Sequence, residues 1–96
     1  MIVQDNPEQQ RFELVDGDEV VGIADYRRQG DTLVIPHTEI QRHRRGQGLG
    51  EVLVQGALDA TRAQGLRVEA RCWFVEQFIA THPDYADLAV SAFDRT

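Results

Sequence analysis

"RHRRGQGLGEVLVQGALDATRAQG", Arg42 to Gly65, is the stretch that decides the fold. Three arginines and a histidine lead into glycines at 46, 48 and 50, and from Leu49 the apolar period becomes that of a helix. Leu49, Val52, Leu53, Gly56, Ala57 and Ala60 recur at i, i+3, i+4, i+7, i+8 and i+11, which predicts one apolar stripe on that helix. Gly65 stands where a glycine commonly ends one. Lacking Cβ atoms, the glycines let the chain turn tightly and let a ligand approach backbone N–H groups directly. At a helix N-terminus those groups have no intrahelical partner and lie at the positive end of the dipole. A pyrophosphate suits that position.

Working outward, Arg11–Val15, Glu19–Arg27 and Thr32–Gln41 read as strands parted by turn residues at "DGD" (Asp16–Asp18) and "RQGD" (Arg28–Asp31). Connections this short make them antiparallel neighbours. Beyond the helix, "LRVEARC" alternates between Val68, Ala70 and Cys72 on one face and Arg67, Glu69 and Arg71 on the other, so Leu66–Arg71 reads as a fourth strand. With a helix between them, the third and fourth strands should run parallel in a right-handed crossover. A short second helix carries Phe74, Val75, Phe78 and Ile79 and stops at His82–Pro83. The tail is expected to turn with Tyr85 and Leu88 packed inward and to fray after Val90. The predicted class is α+β (α/β): an antiparallel three-strand meander, a β-α-β crossover and a C-terminal helix.

At 96 residues the chain is read as one domain, 1–96, with its core over about 10–90. A net charge of −6 argues against a nucleic-acid binder, whose affinity comes from clustered basic side chains. Every basic side chain outside the histidines is an arginine, and Arg42, Arg44 and Arg45 concentrate that charge beside the glycines. Cys72 is the one cysteine, so no internal disulfide can form and no cysteine-based metal site is expected. No apolar run approaches the ~20 residues of a membrane span. The polar start "MIVQDNPEQQ" lacks the pattern of a signal peptide. These features predict a cytoplasmic protein, a monomer or weak dimer, with no membrane or nucleic-acid partner and no metal.

The glycine string lacks the Gly-Lys-Ser/Thr of a nucleoside triphosphate loop and the glycine placement of a dinucleotide fingerprint. It does satisfy Arg/Gln-x-x-Gly-x-Gly/Ala, through Arg45, Gly48 and Gly50. Here the sequence resembles the Gcn5-related N-acetyltransferases, whose loop cradles the pyrophosphate of acetyl-coenzyme A. From Pro36 to Leu88 it is similar to their minimal, YjdJ-type branch, with a His-Thr-Glu at 37–39, a cysteine followed by a helix, and a His-Pro-x-Tyr ending at 82–85. Trp73 departs from that pattern, in which a proline follows the cysteine.

The resemblance implies a minimal acetyltransferase fold whose third and fourth strands splay apart to admit the pantetheine arm. It implies that backbone groups around Ile40 and Gln41 pair with the pantetheine amides, as an added strand would. Arg42, Arg44, Arg45, Gly46, Gln47, Gly48, Leu49 and Gly50 would meet the phosphates, while Trp73, Phe74, His82 and Tyr85 would line the rest of the coenzyme. His37 and Cys72 are the implied catalytic pair. From the residues alone each has an ordinary reading, a core histidine aligned with Leu33 and Ile35 and a small buried thiol. Two routes stay open: Cys72, activated by His37, carries the acetyl group, or His37 takes the amine proton directly while Cys72 shapes the site. The acceptor implied is a cationic amine, a lysine side chain, peptide N-terminus or polyamine, reached from a side of the sheet that no preceding helix walls. The competing readings are a non-catalytic acyl-CoA or CoA binding module and, less well supported by the charge, a nucleic-acid or partner-binding domain using Arg42–Arg45.

Overall fold

The computed structural model describes residues 1–90, so the fraying expected past Val90 lies outside the described residues. One five-stranded sheet, β1 (Ile2–Asn6), β2 (Arg11–Asp16), β3 (Glu19–Gln29), β4 (Thr32–Ile40) and β5 (Arg67–Ala70), has its strands in sequence order. The first four pair antiparallel, and β5 joins β4 in parallel across α1 (Leu49–Ala63). The expected crossover is therefore present, and α2 (Trp73–Thr81) follows it. A single 3₁₀ segment, Pro83–Leu88, then turns Leu88 into the core and half-buries Tyr85, as expected of the tail.

The meander has four strands, one more than expected. Ile2–Asn6 pairs residue by residue with Val15–Arg11, and Val3 packs against α1 where Gly56 leaves room. A Cβ on Gly56 would lie 2.4 Å from Val3 Cγ2, so this glycine exists to let an edge strand approach the helix. The packed region thus begins before residue 10.

The buried side of α1 is Leu49, Leu53, Val54, Ala57, Leu58 and Thr61, rotated from the expected stripe, and Val52 faces out. Val54 and Leu58 extend the same i, i+4 spacing, and Gly56 and Ala60 are half-buried at its margin, Gly56 against Val3 of β1. Gly65 has φ +73° just past the end of α1, as its sequence position implied. These helical residues pack with Phe12, Leu14, Val21, Leu33, Ile35, Val68, Val75 and Phe78 into one cluster. Among the described residues, no helix is long and apolar enough to cross a membrane.

Candidate active site

The sequence of β4 sets the site's geometry through one irregularity. Asp25 pairs with His37 but Arg27 pairs with Val34, so β4 advances three residues while β3 advances two. Ile35 and Pro36 together oppose Tyr26, which is a bulge. Pro36 suits it, having no N–H to contribute to a ladder. The extra residue reverses the alternation. Leu33 and Ile35 face the core, but beyond the bulge Thr38 and Ile40 keep that side, Ile40 against Leu53 of α1 and Thr38 beside Cys72. His37 and Glu39 are turned to the open face, with side chains 52% and 56% exposed. His37 therefore does not share the face of Leu33 and Ile35, and its Nε2 lies 3.3 Å from a Glu39 carboxylate oxygen.

Pairing between β4 and β5 stops at Ile35 and Ala70. The N–H groups of Arg71 and Cys72 both donate to the Ile35 carbonyl, at 3.0 and 3.1 Å, and the chain then turns into α2. β4 runs five residues further, Pro36 to Ile40, with no β5 partner beside it. This is the expected parting of the two parallel strands.

Cys72 stands at the N-cap of α2, across that gap from Thr38, whose hydroxyl is 3.4 Å from the sulfur. Burial pushes the thiol pKa up, but the Thr38 hydroxyl and the backbone N–H groups of Val75, Phe74 and Thr38 outweigh it and leave the pKa below its ordinary value. Cys72 is paired with Thr38 and not with His37. Because the thiolate is the form these donors favour, alkylation of Cys72 should rise with pH to a midpoint below that of an ordinary free thiol, and Thr38→Val should move that midpoint upward. A midpoint unchanged by the substitution would remove Thr38 from this role.

The glycine loop follows a 3₁₀ turn at Arg42–Arg44. Gly46 and Gly48 have φ +84° and +74°, with open space where a Cβ would project, and Gly48 is the N-cap of α1. No side chain caps this end, so the first-turn amides of Leu49, Gly50 and Glu51 are left for a ligand. Arg44, Arg45, Gly46, Gly48, Leu49 and Gly50 line a cavity of about 260 Å³. It continues, through Ile40, Arg45, Gly50 and Phe74, into one of about 360 Å³ that also takes in His37, Thr38 and Glu39.

The arginines divide. Arg44 is held by Asp16 at 2.7 Å and Glu19 at 3.2 Å, which ties the loop to the β2–β3 turn and draws the Asp16 carboxyl below its usual range. Arg45 is exposed, donating Nε–H to the Ile40 carbonyl at 3.0 Å, and Arg42 is exposed on the 3₁₀ turn. Arg45 is thus the cation best placed for a phosphate, and Arg44 is a brace. Gln41 is turned toward β3: its N–H donates to Val21 and its side-chain amide to Val20. It lines a separate hollow with Glu39, Ile23 and Arg11. Gln47 is exposed in the loop. Tyr85 is set apart, its hydroxyl donating to Asp59 at 2.7 Å and its ring against Phe78, in the C-terminal half of α1 about 15 Å along the axis from the glycine loop. Phe74 lies against Gly50, Trp73 lines a cavity with Phe74 and Glu51, and His82 stands at the end of α2, stacked on Phe78 beside Tyr85.

Thr38 is the residue that the sequence reading passed over. Pro36 was its signal, since a proline inside a strand marks a bulge and a bulge exchanges the faces of every residue after it.

Two curated relatives, both called Protein NATD1, are similar to part of the chain: that of Bos taurus is 33% identical over 49 residues, 51% of this chain and 43% of its own length. That of Danio rerio is 28% identical over 58 residues, 58% of this chain and 53% of its own. The chain spans about half the length of the curated relatives it matches. A GCN5-like protein of Staphylococcus aureus, solved by NMR in solution, shares the fold with a TM-score of 0.69 at 21% identity, over 93% of this chain and 87% of that one. The profile of the GCN5-related N-acetyl-transferases matches residues 11–88, from the second strand through the bulge, the glycine loop and the cysteine to Leu88, and the chain belongs to that family.

Proposed function

We propose that this protein transfers an acetyl group from acetyl-CoA to an amine. The observation that carries the reading is the length of β4 past its last β5 partner, Pro36 to Ile40, whose edge on that side leads from the glycine cradle to a thiol held below its ordinary pKa. An extended pantetheine arm can lie along that free edge as a strand would, its pyrophosphate at the start of α1 and on Arg45 and its thioester toward Cys72. The residues fit this substrate because the cradle is free of Cβ atoms where phosphate oxygens must approach.

Of the two routes, the placement of Cys72 favours the covalent one. Its thiolate attacks the thioester carbonyl, the carbon–sulfur bond to coenzyme A breaks, and the departing thiolate takes a proton. An amine then attacks the acetyl-cysteine, the cysteine sulfur leaves as thiolate, and the amine's proton passes to a base. His37 and Glu39, at the open face of the same cavity, are the groups placed to receive it. Glu39, with Asp25 on the neighbouring strand, gives that face acidic groups that suit a cationic acceptor such as a lysine, a peptide N-terminus or a polyamine. A single thiol kept reactive suits a reducing compartment such as the cytoplasm.

Thermal denaturation tests the ligand. Acetyl-CoA and CoA should each raise the midpoint with concentration, as any ligand of the folded state does, and NADH should not. Equal shifts with all of them, or none, would contradict the proposal.

A further inference from the structure

One hollow takes no part in holding the coenzyme. It has a volume of about 220 Å³, lies on the open face of the sheet, and is lined by Arg11, Val20, Gly22, Ile23, Glu39 and Gln41. Glu39 also lines the cavity along β4 with His37 and Thr38, so one carboxylate borders both spaces. An amine held on Glu39 is therefore at the edge of the groove that leads to Cys72.

The two ends of the hollow differ in charge. On β4 stands Glu39, with a carboxylate oxygen 3.3 Å from His37 Nε2. On β2 stands Arg11, half-buried, and between them β3 supplies Val20, Gly22 and Ile23 as an apolar floor. In register Ile23 faces Glu13 on one side and Glu39 on the other, while Asp25 stands between Arg11 and His37, outside the lining.

Arg11 is held in a way that leaves it ready for an anion. Its Nε–H donates to Glu13 at 2.9 Å, and the same carboxylate accepts from Asn6 at 3.0 Å and Gln4 at 3.3 Å. Glu13 is buried, and these donors, Asn6 first among them, keep its pKa below the usual carboxylate range. Glu13 is thus ionised and fully engaged, and it fixes the guanidinium by one edge. Among the described residues, neither Nη group of Arg11 has a hydrogen-bond partner. Those two groups form the fork that takes a carboxylate in parallel bonds.

We infer that this hollow seats the acetyl acceptor, and that the acceptor is an ω-amino carboxylate, a primary amine joined through several methylenes to a carboxylate. The carboxylate lies on the Nη groups of Arg11, the methylenes over Val20 and Ile23, and the ammonium at Glu39. Its proton goes to His37 as the nitrogen bonds the acetyl carbon and the sulfur departs as thiolate. The inference rests on the acetyl-transfer reading above and narrows the acceptor it names. β2 and β4 are two strand spacings apart, about 10 Å, a span for several methylenes and not for the one carbon between the charges of an α-amino acid. A diamine of the same length would set its second ammonium against Arg11.

The test compares three acceptors at saturating acetyl-CoA: 6-aminohexanoate, cadaverine and glycine. The first two share five methylenes and differ only in carrying a carboxylate or a second ammonium. 6-Aminohexanoate should be acetylated with a kcat/KM about tenfold or more above either of the others. Arg11→Gln should raise the KM for 6-aminohexanoate by about tenfold or more, and it should improve cadaverine, whose second ammonium no longer meets a guanidinium. Arg11→Lys keeps the charge without the fork and should fall between. Comparing acceptors on the unaltered protein decides the matter even where a variant fails to fold. Cadaverine or glycine used as well as 6-aminohexanoate, or Arg11→Gln slowing all acceptors alike, would overturn the inference and leave acetyl transfer standing. Acetyl-CoA bound with none of the three acetylated would also overturn it, and no binding of acetyl-CoA would overturn both readings.

Discussion

Gly50→Val is expected to abolish measurable acetyl-CoA binding in a protein that still folds. A Cβ at this position would lie 2.8 and 2.9 Å from Cε2 and Cζ of the Phe74 ring, closer than real contacts permit, so the ring must swing. Phe74 lines both the phosphate cradle and the cavity along β4, so a displaced ring alters the path between them. The valine itself crowds first-turn amides on which the pyrophosphate depends. Losing two charge-assisted hydrogen bonds costs about 3–6 kcal/mol, on the order of 100-fold or more in affinity. Gly48→Val acts differently. Its Cβ meets nothing, but at φ +74° a β-branched side chain strains the backbone by about 1–2 kcal/mol and projects where a phosphate oxygen would sit. Calorimetry on variants whose near-ultraviolet circular dichroism matches the wild type decides the matter, and unchanged affinity in both would remove the phosphate cradle.

The second large effect concerns Cys72. If it carries the acetyl group, acetyl-CoA alone should leave one acetyl on that sulfur in the intact-protein mass spectrum. Cys72→Ala should lose the adduct and essentially all amine transfer, yet bind acetyl-CoA nearly as well. His37→Ala should still form the adduct but pass it on roughly 100-fold more slowly or worse, because the histidine serves the incoming amine and not the thiol. That split follows from the bulge, which puts His37 on the open face and Thr38 beside the sulfur. Appreciable transfer by Cys72→Ala, with no adduct in the wild type, would instead establish direct attack by the amine. Absence of transfer to every amine tried, with acetyl-CoA bound, would make the protein a binding module.

Where local pattern and global packing agree, the sequence could be read directly. The glycines at 46, 48 and 50, the helix they open and the alternating strand after it each carry their own periodicity, and the parallel crossover follows from their order. The first strand has no period-2 signal because "IVQDN" is short, with two apolar residues followed by three polar ones, and is docked mainly by pairing with β2, which periodicity cannot register; the partner's spacing at Gly56 is visible only once the helix is in place. His37 was assigned to the wrong face because period 2 was carried through Pro36 as though no bulge lay there. The arginine cluster looked uniform in sequence, yet Asp16 and Glu19, over twenty residues away, consume Arg44 and leave Arg45 free to act. Tyr85 was read with the coenzyme because it closes a motif, whereas its hydroxyl closes onto Asp59.

On the proposed function, acetyl-CoA lies along the free edge of β4 with its pyrophosphate at the start of α1. Titrating acetyl-CoA into uniformly ¹⁵N-labelled protein tests it most directly, since each backbone N–H reports separately. The largest shifts should fall at Thr38–Ile40, across the glycine loop to Glu51, and at Cys72–Val75, while Gln4, Glu13 and Ile23 on the open face of the sheet stay in place. No shift at millimolar acetyl-CoA, or shifts confined to that open face with the glycine loop unmoved, would contradict the account.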